Sequence, residues 1–370
     1  MKLNPLNDPK LIEEIRTLAK KRGCYLVGGC VRDWLLGKKS FDMDFVFDFY
    51  PEKIAIKIAQ VYKGEFRKFE KFLTIRIFLK NRRIDFACFR KEKYPRPAAL
   101  PIVTKAKDIK EDLKRRDFSV NAMALSLDKK NLFEVIDHFN GLKDIENREI
   151  NVLHKNSFKD DPTRIFRAAR FCARFGWQLG KETFKLAKQA RQKKYITLLS
   201  RERIRNEIIK ILQEENPYSA FKILEELGFL DQIFYGMKIS PDMDKISNWE
   251  MKFAFLCGLS ENPIDFLKSF NFERKIYNRI FYTLKPHLDK KIPLYKLDEE
   301  QKQVLKLLNP DKNEIAFSDL LIENKDLKKL NIERFKWSKI LSKVASLQWE
   351  GKLKNKEKAI EKIKNEAGNI

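Results

Sequence analysis

A chain of 370 residues, 43% apolar and 12% aromatic, carries enough apolar material for two or more packed domains, since a single core stops growing well before that length. Its 77 lysines and arginines against 52 acids leave a formal charge of +25, a field that gathers polyanions and makes nucleic acid the natural partner; a Lys/Glu-rich thermophile surface explains the density of charge better than its imbalance. No charged-then-apolar leader and no long uncharged apolar run is present, so neither secretion nor membrane spanning is indicated and the cytoplasm is expected.

In chain order, residues 9–22 place Leu11, Ile12, Ile15, Leu18 and Ala19 at helical spacing before Gly23, which predicts a first helix. Cys24 to Val27 reads as a short strand, Gly28-Gly29 as a turn, and Val31 to Leu36 as a helix stopped by Gly37. Phe41 to Phe49 reads as a second strand. Leu73–Leu79 and Arg83–Phe89 form an expected antiparallel pair about the polar turn Lys80-Asn81-Arg82.

From about Asp160 the pattern is helical almost throughout, with Pro162, Pro217, Pro241, Pro263 and Pro293 near element starts or connections. The fold class expected is α+β, a mixed α/β head followed by an all-α remainder. The divisions are 1–140 for the head, 141–215, 216–310 and 311–370, cut at Asn216-Pro217 and at the turn-rich Asn309-Pro310-Asp311.

The five cysteines are scattered among apolar neighbours without a CxxC pair, and His138, His154 and His287 have no metal-ligand spacing; the thiols read as reduced core residues. Of 23 arginines, 20 lie at or before Arg205. Arginine suits planar, bidentate recognition whereas lysine acts as a point charge, so chemistry is expected before residue 205 and looser phosphate contact after it.

Two glycines where a strand turns into a helix let a backbone approach a ligand and aim its amides at it, though a Gly-Gly turn alone is more often only a turn. Asp42-Met43-Asp44 follows closely, and strand alternation puts both carboxylates on one face roughly 7 Å apart. Two like charges flanked by Phe45, Val46 and Phe47 call for a compensating cation, for which magnesium is the expectation; a polar face pointing at water is the alternative. Asp85 lies between apolar neighbours on the Arg83–Phe89 strand and is a possible third carboxylate.

Taken together, Gly28-Gly29-Cys30-Val31-Arg32-Asp33 with Asp42-Met43-Asp44 resembles the polymerase-β-like nucleotidyltransferases, and within them the class II tRNA nucleotidyltransferase and bacterial poly(A) polymerase family. The run Arg115-Arg116-Asp117-Phe118-Ser119-Val120-Asn121-Ala122 is similar to that family's second motif, which implies a role for Arg116 and Asp117 at the sugar and triphosphate. Read without the family, it could be a surface ion pair.

Asp160-Asp161-Pro162-Thr163-Arg164 opens a helix with arginines at 164, 167, 170 and 174. At about 100° per residue most of these lie opposite the packed face of Ile165, Phe166, Ala169, Cys172 and Ala173. Asp161 accepts and Arg164 donates, a pattern matching the amino group and ring nitrogen of cytosine and adenine and rejecting guanine and uracil. The family's motif begins Glu-Asp where this chain has Asp160-Asp161, and Arg167 and Arg170 match its nucleotide-contacting positions. Ser200 to Glu207 resembles the segment closing the family's neck.

The resemblance covers roughly residues 20–210. It implies a catalytic head at 1–140, a helical neck at 141–215 reading the base, and an RNA-binding body and tail at 216–310 and 311–370. It implies Mg²⁺ held by Asp42 and Asp44, nucleotide contacts at Gly28, Gly29, Arg32, Arg116, Asp117, Asp161, Arg164, Arg167 and Arg170, and tRNA with ATP, and CTP as an alternative, as partners. Family members add CCA, only CC, only the terminal A, or poly(A) tails, and the shared motifs do not choose among them. The stretch Lys91 to Pro101, with Tyr94-Pro95, looks more like the linkers of A-adding members. Residues 352–364 hold six Lys and two Glu, in keeping with a basic tail. A non-catalytic RNA-binding protein on the same scaffold is the rival from another class.

Overall fold

The computed structural model describes residues 1–370 apart from 21, 41, 81, 235, 289–296, 313–315, 317–319 and 368–370. Phe41, Asn81 and Pro293 therefore lie outside the described residues. The chain divides into two compact units, Met1–Leu199 and Ser200–Ile370.

The first unit opens with α1 (Pro9–Ala19), β1 (Cys24–Val27), α2 (Gly29–Leu35), β2 (Met43–Phe47) and α3 (Glu52–Val61). It continues with β3 (Glu65–Phe69), β4 (Thr74–Leu79), β5 (Arg82–Cys88), β6 (Arg90–Lys93), β7 (Ile102–Lys105) and α4 (Ile109–Lys114). Then follow β8 (Met123–Ser126), β9 (Val135–Asp137), α5 (Gly141–Asn147), β10 (Glu149–Ile150), α6 (Ser157–Asp160), α7 (Thr163–Phe175), β11 (Gln178–Leu179) and α8 (Lys181–Gln192). α1 stops before the expected Gly23 because Lys20 turns left-handed, at φ 50°.

Among the described residues, seven strands join in one sheet in the order β3-β4-β5-β2-β1-β8-β9. β2 and β5 run parallel and the other neighbours antiparallel, so the central strands are buried on both faces, as the apolar run Phe45-Val46-Phe47 requires. One face packs Phe45, Phe47, Ile75, Ile77, Ile84 and Phe86 with α1 and α3 through Leu11, Ile15, Ile54 and Ile58. The other carries a smaller cluster of Val27, Val46, Ala87, Ala124 and Leu113. The expected β4–β5 hairpin forms, with Leu79 opposite Arg82. All five cysteines are buried and free, and burial pushes the Cys30 and Cys172 thiols up to about 12.

One local departure from an all-helical continuation follows α7, where Gly176 turns left-handed (φ 66°) and Gln178–Leu179 pairs in parallel with Glu149–Ile150. A two-residue strand is too short for alternation to show in the sequence.

The second unit is helical, with α9 (Arg201–Leu212), α10 (Pro217–Glu226), α11 (Leu230–Ile233), α12 (Trp249–Gly258), α13 (Pro263–Ser269), α14 (Arg274–Leu288), α15 (Glu299–Leu308), α16 (Asn324–Lys329), α17 (Trp337–Trp349) and α18 (Lys356–Ala367). Its centre is α12, with Met251, Phe253, Ala254, Phe255, Leu256 and Cys257 buried together with Lys252, which donates to the Glu214 carbonyl (3.0 Å). Among the described residues no helix is long and apolar enough to cross a membrane.

Candidate active site

The strand-to-helix turn is built on Gly28, at φ 77° and ψ −131°, a region closed to residues with a side chain. A Cβ there would meet Arg116 Nη1 at 2.7 Å and Asp44 Oδ2 at 3.7 Å. The turn, the β2 carboxylate and the second-motif guanidinium therefore converge on one point. Gly29 starts α2.

Asp44 sits in register with Asp85 on the parallel neighbour β5. Burial raises the Asp44 carboxyl, Arg116 and Arg83 oppose that rise, and Asp85 and Asp42 add to it. Asp42 lies just before β2 and is exposed; it accepts from the Arg83 backbone N–H (3.3 Å) and faces Arg83 Nη2 at 3.2 Å. Asp85 accepts from Arg76 Nε (2.7 Å) and Nη2 (2.9 Å). Three carboxylates and two guanidiniums thus meet along β2, β5 and β4. Among the described residues no group of three or more His, Cys, Asp or Glu is arranged about a common metal position. The donor chemistry nonetheless fits Mg²⁺, which takes one or two carboxylates and completes its shell with water and substrate phosphate.

Arg116 is held from behind by Asp112, fully buried on α4, which accepts from Arg116 Nη2 (3.2 Å), Arg115 Nη2 (3.0 Å) and the Arg90 N–H (3.1 Å). Burial works against the charged carboxylate, but the two arginines win and hold Asp112 below the usual range. Asp112 was not among the expected site residues; its sequence signal is the spacing of three and four residues to Arg115 and Arg116, at and just past the C-terminus of α4.

Asp117 accepts from the Phe118 N–H (2.8 Å), Asn121 Nδ2 (3.0 Å) and Arg167 Nε (2.9 Å). Burial alone would raise this carboxyl, yet Arg167 and Asn121 outweigh it and hold it far below the usual range. Asn121 also accepts from Arg32 Nη1, while Arg32 Nε and Nη2 donate to Asp33 (2.9 and 2.7 Å) and its guanidinium lies 4.8 Å from the centroid of Phe175. Arg32, Asp117, Asn121 and Arg167 are therefore one connected network.

Two of the four arginines in the stripe of α7 do not face solvent. Arg164 and Arg170 are 4% and 7% exposed, because the side of α7 opposite the apolar face is also covered. Arg164 donates to Ser157 Oγ (2.7 Å) and to the Arg115 carbonyl (2.9 Å), and Arg170 lies 4.9 Å from the centroid of Phe171. Asp161 accepts from the N–H and hydroxyl of Thr163 (3.0 and 2.6 Å), which fixes the entry to α7.

A cavity of about 350 Å³ opens beside Arg164, lined by Tyr94, Glu92, Arg115, His154 and Asp160 among others. Tyr94 donates to Glu92 (2.8 Å), whose other oxygen accepts from Arg115. Burial, then Arg164 and Lys114, depress His154 to about 4. The Lys91–Pro101 stretch thus contributes Glu92 and Tyr94 to the same cavity as Arg164.

Residues 24–151 match the family described as Poly A polymerase head domain, and residues 176–244 the one described as Probable RNA and SrmB-binding site of polymerase A. The chain is 32% identical over 375 residues to the A-adding tRNA nucleotidyltransferase of Aquifex aeolicus, across 93% of this chain and 45% of that protein. It is 35% identical over 223 residues to the protein of that name from Halalkalibacterium halodurans, across 59% of this chain and 52% of that one. The chain thus spans about half the length of these curated relatives. Among solved structures, the Thermotoga maritima CCA-adding enzyme complexed with tRNA superposes with a TM-score of 0.66 at 26% identity, over 98% of this chain and 96% of that one.

Proposed function

Because the chain belongs to the family that joins the poly(A) polymerases to the tRNA nucleotidyltransferases, we propose that it transfers AMP from ATP to the 3′ end of tRNA without a template, completing the CCA terminus. The observation that carries this reading is the convergence of Gly28, Asp44 and Arg116 beside the paired strands β2 and β5. In that cluster the 3′-hydroxyl attacks the α-phosphate in line, and pyrophosphate leaves.

Asp42 and Asp44 would hold Mg²⁺, with Asp85 as the neighbouring third carboxylate. When bound, Mg²⁺ supplies activation of the attacking hydroxyl and neutralisation of the departing pyrophosphate. Arg116 balances charge at the triphosphate from its seat on Asp112, and the Gly28-Gly29 amides approach the phosphates. Asp117 is the sugar contact, and Asn121, Arg32 and Arg167 hold its orientation. Asp161 and Arg164 read the base, and Arg167 and Arg170 line the nucleotide's path.

Residues 1–140 act as the head and 141–215 as the neck, while 216–310 and 311–370 grip the RNA. The match at 176–244, described as an RNA-binding site, runs across the 215/216 boundary and supports RNA contact on both sides of it. A-addition is favoured by Tyr94 beside Arg164 and by the names of the Aquifex and Halalkalibacterium relatives. The likeness to the Thermotoga enzyme supports full CCA-addition as the second reading. Labelled ATP and CTP offered separately to tRNA transcripts ending at the discriminator base, after C and after CC decide between them. Incorporation of ATP only on the CC end is expected; CTP incorporation on the shorter ends would make the protein a CC- or CCA-adder.

A further inference from the structure

The register of the sheet carries the acidic row outward into a basic and aromatic one. Asp44 on β2 pairs with Asp85 on β5, Asp85 with Arg76 on β4, and Arg76 with Arg67 on the edge strand β3. At about 4.8 Å per strand, Arg67 stands roughly 14 Å from Asp44 on the same face. Two residues along each strand, Phe69 and Phe78 share that face and are 37% and 38% exposed. The rings are not bare. The Arg76 guanidinium lies 5.4 Å from the centroid of Phe69, and that of Arg67 lies 5.4 Å from the centroid of Phe78.

Charged side chains are one of the ordinary guards of an edge strand. Here every residue of β3 is exposed, and the charged groups are layered with rings. Glu65, opposite Phe78, and the Arg76-bound Asp85 are the acids on this stretch of the face. Guanidiniums alternating with exposed aromatic rings suit a polyanion whose bases are free to stack: guanidiniums take phosphates and rings take base faces, without reading sequence. A duplex, with its bases already stacked, gains only the charge.

We propose that the β3–β4 face, through Arg67, Phe69, Arg76 and Phe78, is a track for the single-stranded RNA segment just upstream of the 3′ end, leading that end toward Asp44 and Asp85. The surface's role as an approach to the carboxylates rests on the nucleotidyl-transfer reading above; its affinity for single strands does not.

The test uses the full chain and fluorescence anisotropy with a labelled RNA dodecamer, single-stranded or annealed to its complement, without nucleotide. In Phe69→Ala and Phe78→Ala the single-strand Kd should rise about 10-fold each while duplex binding stays unchanged, and Arg67→Ala should lower the salt slope for single strands by about one. Phe78→Leu, which keeps an apolar side chain without the ring, should behave like Phe78→Ala, and unchanged thermal melting would show that the fold persists. Equal losses on single strand and duplex, or no loss in any variant, would overturn the track. Transfer of AMP is measured on the same preparations. Wild-type protein that binds single strands through these residues yet transfers nothing would sink the proposed function and leave the surface, whereas transfer with unaltered binding in all variants would do the reverse.

Discussion

Replacing Gly28 by alanine separates the stability of the turn from the placement of a guanidinium. The backbone at φ 77°, ψ −131° admits a side chain only at a cost of about 1–3 kcal/mol, which for a unit of this size lowers Tm by roughly 2–4 °C per kcal/mol. The new Cβ also falls 2.7 Å from Arg116 Nη1. Relief is cheap because that atom is the end of a flexible side chain, but it takes the guanidinium away from Asp44. Loss of a fixed charge-assisted donor at a reacting phosphate costs on the order of 100-fold in rate. Steady-state AMP transfer and thermal melting on the same Gly28→Ala protein should thus show a modest fall in Tm and a fall in kcat/KM far beyond it. Arg116→Ala should lose activity as well, with a fall in Tm of different origin, since the buried Asp112 carboxylate is left with one arginine fewer, and the double variant should be no less active than the worse single one, as expected when two changes remove one interaction. Fully additive activity losses, or a Gly28→Ala enzyme as active as wild type, would refute the argument.

Asp44→Asn should abolish transfer while leaving tRNA affinity in filter binding nearly intact, and chelation with EDTA should do the same reversibly, with activity returning on addition of Mg²⁺; near-normal turnover in either case removes Asp44 from the site. Ser157→Ala leaves the buried Arg164 guanidinium one acceptor short, at about 1–3 kcal/mol, and should lower the preference for ATP over GTP and UTP about 10-fold, with Ser157→Thr restoring it. An unchanged preference would mean that Ser157 does not position Arg164. His154, whose folded pKa is about 4 against an ordinary 6.5, takes up its proton in the unfolded chain first, so its contribution to stability is full above pH 6.5 and is lost as pH falls toward 4. Denaturant midpoints of His154→Gln should fall less steeply with pH than wild type across that window; parallel curves would count against a neutral, half-buried His154.

The strands of the head were legible because apolar runs between turn signals leave few choices, and β1 and the β4–β5 hairpin form close to where alternation and Lys80 to Arg82 predict them. The motif residues were legible as types, since glycine at a strand–helix turn and closely spaced carboxylates each have few structural uses. The identity of their partners was not. Asn121, Arg76 and Ser157 act through side chains brought from other strands and helices, and no local period marks a residue whose value is a contact between elements. The same reason hid the burial of Arg164 and Arg170: an amphipathic pattern tells which face of α7 is apolar, and only the packing of the rest of the unit decides whether the other face meets water. From the sequence alone came the kind of chemistry, its division from a basic helical remainder, and the carboxylates and glycines of the turn. The convergence of Arg116 on Asp44, the register that joins Asp44 to Asp85 and the row out to Arg67 came from tertiary structure, because strand order and register are set by long-range pairing and one residue of slip would have turned every side chain to the opposite face.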